Sequence, residues 1–578
     1  MTKKKIILGL HTGHDASACL FIDGKLAAFC KEERVTRVKN VGRYFHLKSI
    51  NEVLRIAEIE LDDIDAIAMT RLKLPISSFK KTDTPVKTKI KQLFASKREI
   101  NIISQMLKTG IYSEQTLIST KAICKEMGFR EEKPIYFTNH HLAHNLCSLK
   151  FTDWEDGLFL SCDGGGDRLQ YAAYGLKNNQ FKRIIGGDEE TFSTGQNSAA
   201  SIGLAYSYAT KLAGFTPNRH EGKITGLAAF GKPELADELI SKFRIENGAV
   251  LSEFSGLDEL HRYLDKIFEH KDRTVIAASI QQATEQVTLK WVKNLLELFP
   301  TRHIALTGGV FSNVRLNQLI AEIEGIQEIY VFPAMTDDGL SIGCAVDAEI
   351  QSDGLEKLYR YRLEHTYYGY NYTAHDLEKA ASGHSLKTIS TLDAAKKAAE
   401  LLKDGYVGAI FTKSMEMGPR ALGARSILAS PAQRDVNDSI NLRLERTEFM
   451  PFAPFVLSDD AREVFEVNDA NEYACRFMTI TTNVNPKYHD VIPAVVHVDG
   501  TARPQIIYKE DNPLYYSILE EFKALTNIPC LVNTSFNAHE EPIINTPEEA
   551  VTALLDNRVD FLVSDGLLIL NDHLERQL

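Results

Sequence analysis

The sequence predicts an α/β protein built on a duplicated β-turn-β core. Three observations carry that prediction. Residues 6–31, IILGLHTGHDASACLFIDGKLAAFCK, alternate apolar strands with tight turns, and LFLSCDGGGDRLQYAAYGLKNNQ at 158–180 repeats the plan. Two strand, glycine-turn, helix units follow at 303–320 and 328–348. Before them, Ile276, Ile280, Ala283, Val287, Trp291, Leu295 and Leu298 recur at helical spacing and read as core packing.

Composition narrows the class. The chain has 578 residues and 44% hydrophobic residues, enough for two large domains with real cores. A net charge of −12 argues against a general nucleic-acid or membrane-surface binder, although local arginine clusters still suit small anions. The 8 cysteines form no C-x-x-C pair and read as buried thiols in a reducing compartment. The basic start MTKKK is followed by only five apolar residues before His11, and no stretch reaches the ~18 apolar residues of a membrane helix. A soluble cytoplasmic protein is expected, and the sequence leaves a homo-oligomer open.

In chain order, the first turn carries His14 and Asp15, and EERVTR at 32–37 leads into loop. Residues 79–100 are strongly basic and read as a solvated insertion, with a lid over substrate as the alternative. In FTNHHLAHNLCS, His140 and His144 stand four apart. On a helix that puts both imidazoles on one face, about 5–6 Å apart at Cβ, where one metal ion at about 2.0–2.1 Å can bridge them. The apolar strand after it ends in Asp163, Gly164 and Gly165, a carboxylate beside bare backbone that suits an ion or phosphate. Helices are expected at 198–212 and 276–299. Between them NRHEGKITGLAAFGKP holds Gly222 and Lys223 in a turn before an Ala-rich helix, as readily an ordinary loop as a nucleotide contact. Gly308 and Gly309 end a strand, and a helix begins near Asn313, an arrangement that presents backbone N–H groups to phosphate. Asp337 and Asp338 precede a further helix, as caps or as a metal ligand.

Residues 352–371 read as a linker, with a domain boundary near 360. Beyond a helix at 392–403 and a strand at 407–411, the second domain concentrates Arg420, Arg425, Arg443, Arg446, Arg503, Asn533, Ser535 and Asn537 in turns shaped by Gly and Pro. Arg forks match phosphate oxygens bidentately, and pairing with Glu416, Glu445, Glu448 and Asp499 is the equal alternative.

Taken together, GHDASACLF, EERVTR, HHLAH, CDGGGD, EGKITGLAAFG, TGGVFSNVRLN, DDG, SMEMGPRALGARSI, FMPFAP, HVDGTARPQ and NTSFN resemble, in order and over nearly the whole chain, the O-carbamoyltransferases of the nodulation-factor, cephamycin and tobramycin type. The resemblance implies an actin/sugar-kinase-like N-terminal domain, 1–360, and a YrdC-like α/β C-terminal domain, 361–578. It implies ATP and carbamoyl phosphate as reactants. Carbamoyl-adenylate and pyrophosphate form in the C-terminal domain, and the carbamoyl group then passes to a hydroxyl of a small-molecule acceptor in the N-terminal domain, assisted by iron(II) or another divalent metal. By position His140, His144, Asp163 and Asp337 match the metal site, with Asp338 one residue away. His14 lies beside the reacting carbamoyl, as base or proton relay, with a turn-capping histidine as its plain alternative. The CDGGGD, EGK and TGGVFSN turns (Gly164, Gly165, Gly222, Lys223, Gly308, Gly309, Asn313) fall at the nucleotide. Arg420, Arg425, Arg443, Arg446, Arg503, Asn533, Ser535 and Asn537 fall at carbamoyl phosphate and ATP. The catalytic candidates are His14, Asp15, Lys223 and Arg420. Two departures from the family pattern stand out: RLER places Arg443 and Arg446 near the family's essential lysine, and Lys413 stands where many members have Gly. The rivals are a tRNA threonylcarbamoyl-type transferase, a kinase and a non-catalytic nucleotide-binding protein.

Overall fold

The computed structural model describes residues 4–42, 47–80, 99–193, 201–446 and 450–575. The basic segment 81–98 and residues 198–200, expected to open a helix, lie outside that set, as does Glu448.

Two five-stranded sheets of identical plan build the N-terminal half. The first uses β1 (Ile6–His11), β2 (Ser17–Ile22), β3 (Lys25–Lys31), β4 (Ala66–Thr70) and β5 (Ile135–Thr138) in the order β3-β2-β1-β4-β5. The second uses β6 (Gly157–Gly166), β7 (Leu169–Lys177), β8 (Gln180–Ile185), β9 (His303–Thr307) and β10 (Glu328–Val331) in the order β8-β7-β6-β9-β10. Each is an antiparallel meander of three strands extended by two parallel ones. The meanders need only tight turns, which Asp23 and Gly24 supply with left-handed backbone. The repeat seen in the sequence is therefore a repeat of topology.

The connecting helices position the site. EERVTR does not run straight into loop: its first residues form the short buried helix α1 (Glu32–Thr36). Next come α2 (His140–Lys150), α3 (Ile202–Leu212), α4 (Glu221–Leu227), α5 (Arg273–Leu298), α6 (Val314–Ala321) and α7 (Leu340–Asp353). Helix α2 lies on the second sheet, α7 on the first, and the two pack on each other between the sheets. Gly343 permits that approach, since a Cβ there would stand 1.8 Å from the Ala143 carbonyl oxygen. Ala143, Leu146 and Cys147 meet Leu340, Cys344 and Ala345 in one buried cluster. Burying this apolar stripe fixes the depth and rotation of α2.

The C-terminal half is an eight-stranded sheet. Its strands are β11 (Lys387–Ser390), β12 (Gly408–Phe411), β13 (Arg425–Ala429), β14 (Ala453–Leu457), β15 (Gln505–Ile507), β16 (Cys530–Ser535), β17 (Phe561–Ser564) and β18 (Leu567–Leu570). They follow the order β11-β18-β17-β12-β13-β16-β14-β15. Helices Ala394–Lys403 and Pro513–Thr526 pack against one another beside it. The end of the expected linker is ordered as a strand, Tyr367–Asn371, paired with Ser414–Glu416. Among the described residues no helix is long and apolar enough to cross a membrane.

Candidate functional site

Four side chains converge where α2 meets the two sheets. His140 and His144 come from the first turns of α2, Asp163 from β6, and Asp337 from the turn of 3₁₀ helix before α7. His140 Nε2 lies 3.4 Å from Asp163 Oδ2 and 3.6 Å from Asp337 Oδ1. His144 Nε2 lies 3.3 and 3.5 Å from the same two oxygens. These separations are long for hydrogen bonds, and they match the edge of about 3.4 Å between donors held tetrahedrally at ~2.1 Å from one ion. Asp338, one residue on, points away and accepts from Thr336 Oγ1 at 2.7 Å. His141 also leaves the group and meets Ser161 Oγ at 3.0 Å.

Local structure fixes the donor directions. Asn139 caps α2 by accepting from the His141 and Leu142 amides, and Asp167 accepts from the His140 amide at 3.0 Å. Gly166 leaves room for the His140 ring, since a Cβ there would fall 2.1–2.5 Å from its atoms. The strand that bears Asp163 does not stop at that residue but continues through Gly166, with a register shift between Cys162 and Gly166. The charges favour a cation. Burial raises the Asp163 carboxyl, yet the two imidazoles outweigh it and hold the group well below its usual range. Burial lowers His144, and Asp163 and Asp337 reverse this, pushing it up to about 9. Two carboxylates thus hold positive charge between them, as a divalent ion at this donor set would supply.

His14 stands at the mouth of this group with its Nε2 3.3 Å from Asp337 Oδ2 and its Nδ1 3.6 Å from Asp15 Oδ2. Its hydrogen bond to Asp15 and the Asp337 charge raise it to about 9. Asp15 is itself tied to Lys31 Nζ at 2.9 Å. His14, Asp15, Asp163 and Asp337 open into a cavity of about 440 Å³, which Gly164, Gly309 and Asn313 also line. Gly165 and Gly308 do not line it. Gly308 instead lets β9 approach β6, for a Cβ there would sit 2.3 Å from the Cys162 carbonyl oxygen.

A second cavity, of about 400 Å³, lies against the C-terminal sheet. Arg420 and Arg503 both reach it, and among the described residues no hydrogen bond or ion pair engages either guanidinium. Burial lowers both, Arg420 to about 10, and Arg420 lowers Arg503 further. Two adjacent cations without counter-ions make a pocket for a multiply charged anion. Ser535 and Asn537 line it as well. Arg446 does too, although its guanidinium is spent on Thr534, Ser535 and Asn537. Asn533 reaches the cavity and braces its wall, donating to the Ala421 carbonyl at 3.0 Å. Arg425 and Arg443, expected with these arginines, lie outside both cavities. Arg425 is wholly buried, stacks 3.8 Å over Phe411 and donates to the Thr412, Lys413 and Ala424 carbonyls. Arg443 pairs with Asp560 at 2.9 Å, not with Glu445. Lys223 is buried within helix α4 rather than in a turn, near the Phe215 ring, and lines the second cavity with Gly222. Lys39, Arg219 and Arg315 also line it and were not singled out in the sequence. Their surroundings there are too ordinary to mark them. The walls the two cavities share include Lys39, Arg219, Gly222, Arg420, Ser535 and Asn537.

The chain is a transferase by family, a member of the carbamoyltransferase family. Residues 6–346 match the family's carbamoyltransferase N-terminus and 399–571 its carbamoyltransferase C-terminus. The enzyme is a carbamoyltransferase, and the family's activity is ATP-dependent transfer of a carbamoyl group. Nodulation protein NolNO of Sinorhizobium fredii is 30% identical, over 96% of this chain and 79% of that protein. An uncharacterized protein of Methanocaldococcus jannaschii is 34% identical, over 80% of this chain and 77% of that protein. Nodulation protein NolO of Bradyrhizobium diazoefficiens is 30% identical, over 75% and 78%. Among solved structures, HypF of T. kodakarensis aligns with a TM-score of 0.33 at 11% identity over 62% of this chain and 50% of that chain, a likeness too slight to carry an argument.

Proposed function

We propose that the protein is an ATP-dependent O-carbamoyltransferase that works in two stages. In the first, carbamoyl phosphate, ATP and water give carbamoyl-adenylate, phosphate and pyrophosphate in the arginine cavity. In the second, the carbamoyl group passes to the hydroxyl of a small-molecule alcohol, a sugar or a natural product, beside His14, and AMP leaves. The division runs near residue 360, with a YrdC-like plan assigned to 361–578. The net charge of −12 favours a small acceptor over a nucleic acid.

The observation that carries this reading is the placing of unpaired Arg503 in one cavity and of the His140, His144, Asp163 and Asp337 group at the other, with unpaired Arg420 in the wall they share. Arg420 and Arg503 bind the dianion through guanidiniums that no other group engages among the described residues. An alcohol is a weak nucleophile at neutral pH, so His14 takes its proton at Nε2 while Asp15 orients Nδ1. Iron(II), or another divalent ion, held by the four donors would act as a Lewis acid toward developing negative charge. With such an ion bound, sharing of the Asp337 charge would lower His14 toward the neutral form a base requires. The test is pyrophosphate release from ATP that depends on carbamoyl phosphate, followed by carbamoyl transfer to a panel of alcohols. A kinase would release ADP instead, and a binding protein would release nothing.

A further inference from the structure

The EERVTR segment has no place in the chemistry described above, yet it is more densely bonded than any loop requires. Lys31, Glu33 and Arg34 are all buried, at 6%, 4% and 4% exposure. Asp15, the partner of His14, binds Lys31 at 2.9 Å, Lys31 lies 3.6 Å from Glu33, and Glu33 lies 3.5 Å from Arg34. Glu33 is fixed in turn by the Asn40 amide at 3.0 Å. The far end of this chain of charges crosses into the other half of the molecule, where Arg34 Nη2 donates to the Gly418 carbonyl at 3.1 Å.

Gly418 opens the turn that delivers Arg420. Among the described residues, the Arg34 bond is the one hydrogen bond that reaches Gly418, Pro419 or Arg420. The Arg420 head has no anchor of its own, so its place in the cavity depends on the backbone beneath it. That backbone is held from two sides. Arg34 pulls on the Gly418 carbonyl, and Gly418 (φ +92°) is wedged so close to Pro333 that a Cβ would stand 2.6 Å from the Pro333 carbonyl oxygen. Both holds come from the N-terminal half. Arg37 reinforces the junction through the Pro542 and Ile543 carbonyls, each at 2.8 Å, and Glu549.

We propose that Arg34 is a positioning residue for carbamoyl-phosphate binding: braced by Glu33 and Lys31 beside His14, it sets the Gly418–Arg420 turn and so places the Arg420 guanidinium in the opposite half of the molecule. The proposal rests on the reading of the arginine cavity as the carbamoyl-phosphate site. Its consequence is that the first stage depends on a side chain lodged beside the second.

The test compares full-length wild type with Arg34→Ala, Arg34→Lys and Gly418→Ala. In pyrophosphate release dependent on carbamoyl phosphate, Arg34→Ala is expected to raise the KM for carbamoyl phosphate at least tenfold while kcat changes little. Arg34→Lys, with one donor of similar reach, recovers part of that loss. Gly418→Ala displaces the same turn with Arg34 intact and raises the same KM, which keeps the test alive if Arg34→Ala does not fold. A folded Arg34→Ala or Gly418→Ala protein with KM within twofold of wild type overturns the proposal, as does a fall in thermal stability with no change in KM. Amide hydrogen exchange separates this from failure of the functional reading. If wild type shows no release dependent on carbamoyl phosphate, the functional reading falls, while faster exchange confined to 418–421 in Arg34→Ala still supports the positioning role. Unchanged exchange there overturns it.

Discussion

Asp337 turns one carboxylate oxygen toward His144 Nε2 at 3.5 Å and the other toward His14 Nε2 at 3.3 Å. A single carboxylate thereby joins the proposed metal position to the proposed proton acceptor. Any cation drawn to Oδ1 changes the charge that His14 senses through Oδ2. The metal donors and His14 therefore act as one electrostatic unit.

Arg420 and Arg425 belong to one GPRALGARS motif and are expected to behave in opposite ways. Arg420→Ala removes a cation aimed at the ligand and should cost about 2–3 kcal/mol, on the order of a hundredfold, in pyrophosphate release. Arg425→Met removes three backbone hydrogen bonds inside the core and should lower stability, leaving the KM values for ATP and carbamoyl phosphate unchanged per folded molecule. Steady-state kinetics beside a denaturant titration check both.

Gly166→Ala tests the fit around His140. The added methyl would enter the imidazole, so the ring must turn away from Asp163 and Asp337. Metal affinity measured by calorimetric titration should fall by about tenfold or more, with the far-ultraviolet circular dichroism of wild type retained.

Lys413 holds a left-handed backbone, φ 53°, two residues after β12. That conformation explains why Gly suits the position. Lys413→Gly relieves strain that exceeds the added chain entropy and should stabilise the C-terminal half by about 0.5–1 kcal/mol, read as a shift of its denaturant midpoint.

The two sheets were legible in the sequence because period-two apolar runs and Asp-Gly turns are local signals, and they recur. The His140 and His144 pair was legible for the same reason, since helical spacing alone puts both on one face. Asp337 could not be told from Asp338, because a turn of 3₁₀ helix sends neighbouring side chains in different directions and only its docking against α2 decides which meets the histidines. Arg425 looked like Arg420 because residue type and turn context are shared, while burial depends on Phe411 and on the pairing of β13 with β12. Lys223 appeared to sit in a turn because its neighbouring glycines weaken a helix, and packing against α5 overrides that preference. Arg34 was hidden in a charged run, and its Gly418 partner lies 384 residues further along the chain.

Two chemistries in two cavities are tested most directly by His140→Ala. The variant should lose metal and carbamoyl transfer to the acceptor, yet release pyrophosphate from ATP in the presence of carbamoyl phosphate at close to the wild-type rate. Loss of both activities in a folded His140→Ala protein would contradict the division of labour.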